Sequence, residues 1–327
     1  MIDRRSFIRL AVAGIALGSS VARAQTGTVM RRVGLLSIGS METEEERREL
    51  MIPMRELGWI EGRNLTVERR FANLQVDPLR PYAEELVRLK VEVILTFGTE
   101  AAFAAKTATT NIPIVLSSAG DPVGTGLVAS LARPGGNITG YSIISSELET
   151  KRAALVHELL PAAQRIAVVV DPSNRISGQM RKRADEAFRS LGVQPIFIEA
   201  TLEQQLLDVP AEAVRHRAQA LEMPSGGISG ASARRLTQSA IGYRLPIVVG
   251  DRDLLEAGAL MAFYPNTDDR GRRVAAIVDK ILRGAKPADI PIEQPTRFTL
   301  LINLKTAKAL GITVPQSLLL QADEMIQ

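Results

Sequence analysis

VEVILTFGTEAAFAAKTATTNIPIVL (91–116) is the stretch on which the fold turns. Val91 to Phe97 is β-branched and apolar, the composition of a buried strand. Gly98 interrupts the run. Glu100 to Thr109 is then rich in alanine, the best helix former. Ile112 to Leu116 returns to a short apolar run. Strand, tight turn, helix and strand in direct succession form one βαβ unit, which requires the two strands to lie parallel with the helix across one face.

Working outward, the same alternation recurs on both sides. Upstream, Arg32 to Ser37 reads as a strand and Glu42 to Leu57 as a helix ended by Gly58. Asn64 to Phe71 alternates apolar and polar as a strand, and Pro78 to Leu89 reads as a helix with proline near its start. Downstream, Asn137 to Ser142 is a strand, Glu147 to Leu160 a helix and Arg165 to Val170 the most apolar strand of the chain. Arg181 to Leu191, Val193 to Ile198, Ser232 to Tyr243 and Pro246 to Val249 continue the series, with Glu212 to Leu221 less clear between them. A second βα series therefore starts near residue 145. The tail adds an apolar run, Ala259 to Tyr264, and a helix, Thr267 to Arg283, ended by Gly284. Extended pieces follow at 290–292 and 298–302, then a helix, Leu304 to Leu310, closed by Gly311. The expectation is an α/β protein of two doubly wound, Rossmann-like lobes crossed more than once by the chain. Residues 28–142 plus about 265–290 form the N-terminal lobe, and 143–264 plus about 291–327 the C-terminal lobe.

Residues 1–24 read as an export signal. Asp3, Arg4 and Arg5 precede an apolar run from Leu10 to Leu17, and Ala22-Arg23-Ala24 supplies a small-residue cleavage site. Arg4-Arg5-Ser6-Phe7 also resembles a twin-arginine signal, with Asp3 where a hydroxyl residue is usual, so the twin-arginine and Sec routes both stay open. The location expected is the periplasm. Removing the signal alters the charge argument. The chain has 40 Lys+Arg against 36 Asp+Glu. Without Arg4, Arg5, Arg9, Arg23 and Asp3, 36 basic residues stand against 35 acidic. No basic stripe remains, which excludes a nucleic-acid surface.

The inventory also speaks against catalysis and against any cofactor or metal. Cysteine is absent, so disulfides, thiolate metal sites and cysteine nucleophiles are excluded. The two histidines, His157 and His216, lack partners at ligand spacing. Neither a G-x-S-x-G elbow nor a phosphate-binding G-x-x-x-x-G-K-[ST] loop occurs. The chain is expected not to be an enzyme.

In open α/β sheets ligands sit at the carboxyl ends of strands, where helix N-termini converge. After the first strand this points to Ser40, beside Ser37 and Gly39. After the strand ending at Phe97 it points to Thr99, which either caps the following helix or donates its hydroxyl. After Leu116 come Ser118 and Asp121; the latter either closes the turn before Pro122 or accepts from a solute ammonium. Tyr141 and Ser142 fall where the chain leaves the first lobe. In the second lobe, Asn174 follows the Asp171-Pro172-Ser173 turn, and Asp251 either starts a helix or pairs with an ammonium. These carboxylates and hydroxyls suit an amino acid or a related zwitterion.

Several longer strings carry a family resemblance. They are Leu-Gly-Trp-Ile-Glu-Gly-Arg-Asn (57–64), Gly-Thr-Glu-Ala-Ala (98–102) and Leu-Val-Ala-Ser-Leu-Ala-Arg-Pro-Gly-Gly-Asn-Ile-Thr-Gly (127–140). Gly-Asp-Pro-Val (120–123), Gly-Ala-Lys-Pro-Ala-Asp-Ile-Pro (284–291) and Ile-Asn-Leu-Lys-Thr-Ala-Lys-Ala-Leu-Gly-Ile-Thr-Val-Pro (302–315) complete the set. The chain resembles the ABC-transporter substrate-binding proteins whose better-known members bind tryptophan or tyrosine. The resemblance implies a type I periplasmic binding fold with a multi-strand hinge, closing on a small solute that is passed to an ABC permease in the inner membrane. A sensory ligand-binding subunit, or an exported enzyme on the same fold, is the alternative. A monomer is expected. The chain departs from the family at 223–230, where Met-Pro-Ser-Gly-Gly-Ile-Ser-Gly replaces a segment that usually carries Asp-Pro and aromatic residues.

Overall fold

The computed structural model describes residues 30–41, 44–143, 145–224 and 230–327, with backbone alone at 45, 46 and 145–147. The signal expected at 1–24 and residues 225–229 of the divergent segment lie outside the described residues. The described chain forms two sheets.

The first sheet contains β1 (Arg31–Ser37), β2 (Leu65–Phe71), β3 (Val93–Phe97), β4 (Ile114–Gly120) and β5 (Ile138–Ile143) in the order β2-β1-β3-β4-β5, all parallel. Helices α1 (Glu44–Glu56), α2 (Leu79–Arg88) and α3 (Thr99–Ala108) connect them. α2 and α3 cover one face, where Leu79, Ala83, Leu86, Ala101 and Ala105 pack on Leu36, Ile94 and Leu116. The alanines of α3 let the helix lie close to the strands. The other face is covered by α1 together with a helix from much later in the chain, α9 (Arg270–Leu282). Its Val274, Ile277, Val278 and Ile281 meet Val33, Leu95 and Val115.

The second sheet has the order β12-β11-β10-β9-β8-β6-β7. Its strands are β6 (Arg165–Val170), β7 (Gln194–Glu199), β8 (Ala220–Met223), β9 (Ile247–Val249), β10 (Met261–Pro265), β11 (Phe298–Asn303) and β12 (Glu324–Ile326), with only β10 and β11 antiparallel. α6 (Glu203–Arg215), α7 (Gly230–Gly242) and α8 (Arg252–Glu256) pack on one face. α4 (Ser145–Leu159), α5 (Ser177–Ser190), α10 (Leu304–Leu310) and α11 (Gln316–Gln321) pack on the other. The inner strands of both sheets are buried on both faces, which is why they read as near-continuous apolar runs, while the edge strand β2 alternates.

α6 begins well before the stretch starting at Glu212 that the sequence suggested. Gln205 Oε1 accepts from the backbone N–H groups of Thr201 and Leu202, both at 2.9 Å, and closes the first turn. Leu206, Val209 and Ala213 then form its buried stripe. Pro210 inside the helix obscures this pattern in the sequence.

The chain passes between the sheets three times: from β5 into α4, from β10 into α9, and from Ile292 into β11. At these passages Tyr141 bridges Glu293, the Ser142 N–H donates to the Glu293 carbonyl (2.9 Å), and Glu293 N–H donates to Gly140 (2.9 Å). Arg273 fixes the same place, reaching Asp269 at 2.7 Å and Glu293 at 2.8 Å.

Candidate functional site

The carboxyl ends of β1, β3 and β4 open into a cavity of about 530 Å³. Ser37 to Met41 form one wall, Phe97, Gly98, Ser117 and Ser118 another. Phe71 and Leu74 close a third side, and Glu49 and Leu50 of α1 with Arg270, Gly271 and Val274 of α9 form the back. Asp253, in the first turn of α8 on the second sheet, faces these residues from across the cleft. The volume is in the range of small-molecule sites.

Its chemistry is mixed. Leu35, Leu50, Phe71, Phe97 and Val274 give apolar walls able to take an aliphatic or aromatic body. Ser118 Oγ accepts from Gly98 N–H (3.1 Å) and Ser37 Oγ from Gly39 N–H (3.0 Å). Each serine is thereby oriented as an acceptor and keeps its own O–H to donate to a solute. Arg270 pairs with Glu49 at 2.9 Å. Carboxylates and a guanidinium thus line the same space, as a zwitterion or a molecule with a charged head requires.

Of the residues singled out in the sequence, Ser40 and Ser118 line this cavity. The others are engaged elsewhere. Thr99 is buried and its hydroxyl accepts from Gly120 N–H (3.1 Å), tying α3 to the end of β4. The capping position belongs to Gly98, so Thr99 is not the helix cap. Asp121 accepts from Gly124 N–H (2.9 Å) and closes its turn. Tyr141 is fully buried among Val33, Val115 and Val274, with its phenol pushed up to about 12, chiefly by burial. Ser142 is fully buried at the first passage between the sheets. Asn174 Oδ1 accepts from Ile176 N–H (3.2 Å) within its own turn. Asp251 caps α8, its Oδ1 accepting from Leu254 N–H (2.9 Å), while Oδ2 is buried with no hydrogen-bond partner. Burial raises the Asp251 pKa, the Leu254 hydrogen bond opposing it.

Sequence reasoning missed Glu49, Phe71, Leu74 and Arg270. Phe71 ends β2 and Leu74 follows it, so both stand at a strand end like the others. Arg270 had no such signal, because it follows a strand of the other sheet.

Sequence reasoning also missed a buried charge cluster in the second lobe. Arg152 of α4, with its side chain 2 % exposed, lies between Glu149 and Glu222, whose side chains are both 0 % exposed. Arg152 Nη2 donates to Glu149 and Nη1 to the Pro224 carbonyl (2.8 Å). Nε stands 3.3 Å from Glu222 Oε1, within ion-pair range but not aligned as a hydrogen bond. Burial raises both carboxyls, Glu222 far more, and the neighbouring Glu149 charge raises Glu222 again against the pull of Arg152. One guanidinium thus serves two carboxyls, and Glu222 holds a proton at pH values where an exposed glutamate has lost it.

A raised acid pKa makes the folded state bind the proton more tightly than the unfolded chain. Stability is therefore greatest at acid pH for this group and falls as pH rises above the ordinary value of 4.5 toward the folded-state pKa. Glu222→Gln is expected to flatten this slope in urea melts between pH 5 and 8, leaving the smaller same-signed contributions of Glu149 and Asp251. An unchanged slope refutes the proton held on Glu222.

A two-lobed α/β fold with a mixed polar and apolar cavity at its strand ends is what a solute-binding protein requires. A family model described as ABC transporter substrate binding protein matches residues 44–326, and the chain belongs to that family. A tyrosine-binding protein of Clostridioides difficile (strain R20291) is 23 % identical over 272 residues, 82 % of this chain and 77 % of the relative. A conserved domain protein from Vibrio cholerae O1 biovar El Tor has the same fold, with a TM-score of 0.82 at 23 % identity over 90 % of this chain and 99 % of that one. The ABC domain from Streptococcus pneumonia in complex with L-Trp gives 0.81 at 21 % identity, over 91 % and 100 %. The architecture is that of type I periplasmic binding proteins. No described helix is long and apolar enough to cross a membrane.

Proposed function

We propose that this chain is the extracytoplasmic solute-binding subunit of an ABC importer. It takes a small solute of the amino-acid class, with an apolar body and a charged head, and passes it to a membrane permease. The observation that carries this reading is the cavity at the ends of β1, β3 and β4, faced by Asp253 from the second lobe. Phe71 and Phe97 suit an apolar side chain, the serine hydroxyls a carboxylate, and Asp253 an ammonium. The L-Trp-bound and tyrosine-binding relatives support the same class. Closure of the lobes replaces water around the solute with groups from both sides and makes the surface a permease reads. No chemical step is proposed; the solute leaves as it entered.

A thermal-shift screen over the amino acids tests this, alongside native mass spectrometry of protein purified without refolding. A solute at 100 times its Kd stabilises by about 2.7 kcal/mol. Ser118→Ala and Asp253→Asn are each expected to weaken binding about tenfold, the cost of an unmade hydrogen bond to a charged group. No shift with any amino acid and no co-purified solute, or conversion of a bound solute to product, overturns the proposal.

A further inference from the structure

We propose that Glu100 and Arg175 form a latch between the lobes that holds the binding cleft shut and sets how fast the solute leaves. Glu100 lies in the first turn of α3, on the first sheet. Arg175 lies in the turn after β6, on the second. Glu100 accepts twice from this one residue: Oε1 from the Arg175 backbone N–H at 3.1 Å and Oε2 from Nε at 2.9 Å. One turn along α3, Phe103 takes the same guanidinium over its ring at 4.5 Å. Carboxylate and ring stand at i and i+3 and so share a helix face.

The arm carrying Arg175 is built to hold it out. Asp171 Oδ1 accepts from Ser173 N–H (2.9 Å), Ser173 Oγ (2.7 Å) and Thr201 Oγ1 (2.9 Å). The Asp171 carbonyl accepts from Asn174 N–H (3.1 Å) and from the Ser177 hydroxyl. Asn174 closes the turn onto Ile176. With the arm ordered beforehand, little entropy is lost when Arg175 docks. Glu100 is also prepared: its side chain is 11 % exposed, and the positive end of the α3 dipole favours its charge.

Position gives the contact its effect. In the first sheet β4 separates β3 from β5, where the chain first leaves the lobe. In the second, β8 and β9 separate β6 from β10, where it returns. The latch therefore lies away from the passages about which the lobes turn, where opening must pull the surfaces apart rather than twist them. An ion pair with one partner half-exposed is weak alone. Here the backbone donor and the ring add to it, and every one of these interactions exists only when the lobes are together, so all of them bias closure.

The inference rests on the two-lobed binding reading, yet part of its test needs no solute. In full-length processed protein, lobe separation is measured by spin-label distances without solute, and dissociation rates by stopped flow with the amino acid that the screen selects. Arg175→Ala and Glu100→Gln are each expected to shift the solute-free distance distribution toward the open form. Each also raises koff about three- to tenfold, with kon within twofold. Arg175→Lys keeps charge but not the paired geometry and recovers part of the loss. The double variant loses less than the sum of the two single ones. Unchanged solute-free distances, or additive effects in the double variant, overturn the latch. Altered distances in a chain that binds no amino acid keep the latch and overturn the solute class instead.

Discussion

Arg152→Met is expected to destabilise the protein by about 3–5 kcal/mol, the largest effect of any single charge removal among the described residues. Arg152 is the sole cation paired with Glu149 and Glu222 among the described residues, and both glutamate side chains are fully buried. Without the guanidinium, Glu149 must lose its charge or carry it uncompensated, and the Pro224 carbonyl loses its donor. Methionine fills much of the volume, so the loss is electrostatic rather than a cavity. Adding Glu149→Gln and Glu222→Gln to Arg152→Met removes the charges left behind and is expected to recover at least half of the loss, a strong departure from additivity. Urea unfolding at neutral pH measures both. A loss below about 1 kcal/mol for Arg152→Met, the scale of surface pairs, or further destabilisation in the triple variant, refutes the assignment.

Gly140→Ala is the second large effect. Gly140 lies in β5 opposite Leu116 of β4, just before the register shifts between Leu116 and Ala119. Its φ is +136°, and a Cβ there would run into the backbone nitrogen and oxygen of Leu116. Neither strand can yield, since Gly140 also accepts from Glu293 where the chain passes between lobes. The expected cost is about 4 kcal/mol or more, enough to deplete the folded protein. Gly135→Ala is the control: φ there is also positive, at +72°, but a Cβ meets nothing within 4 Å. It should cost only about 1 kcal/mol. Comparable soluble yields and melting temperatures for the two variants refute the overlap argument.

Much of the fold was legible because both sheets are buried on both faces. Val91 to Phe97 and Arg165 to Val170 needed no partner to be read as strands, since their apolar side chains pack into the helix-covered cores on both faces. Interleaving hid more. Thr267 to Arg283 reads well as a helix, but nothing local says that Val274 and Val278 cover the first sheet. The site shows the same division. The rule of looking past strand ends picked out Ser40, in the turn after β1, and Ser118, inside the carboxyl end of β4, and both line the cavity. It also brought in Thr99, Asp121, Asn174 and Asp251, whose short polar side chains accept from nearby backbone N–H groups. Both uses demand the same residue types at the same places, so composition cannot separate them. Arg152 was invisible for a different reason: beside Lys151 in a helix it looks like part of a wetted face, and only burial shows otherwise.

The late arrival of α9 has a consequence for synthesis. When the ribosome completes β5, all strands of the first sheet exist, yet one face of it lacks the cover of Val274, Ile277, Val278 and Ile281. That cover emerges only after the entire central part of the second lobe has been made, a delay of about 10–30 s at ordinary elongation rates. The first lobe therefore cannot mature in order of synthesis. It waits with an apolar face open, and the last-made helices complete both halves together. A chain so arranged stays incompletely folded until nearly full length.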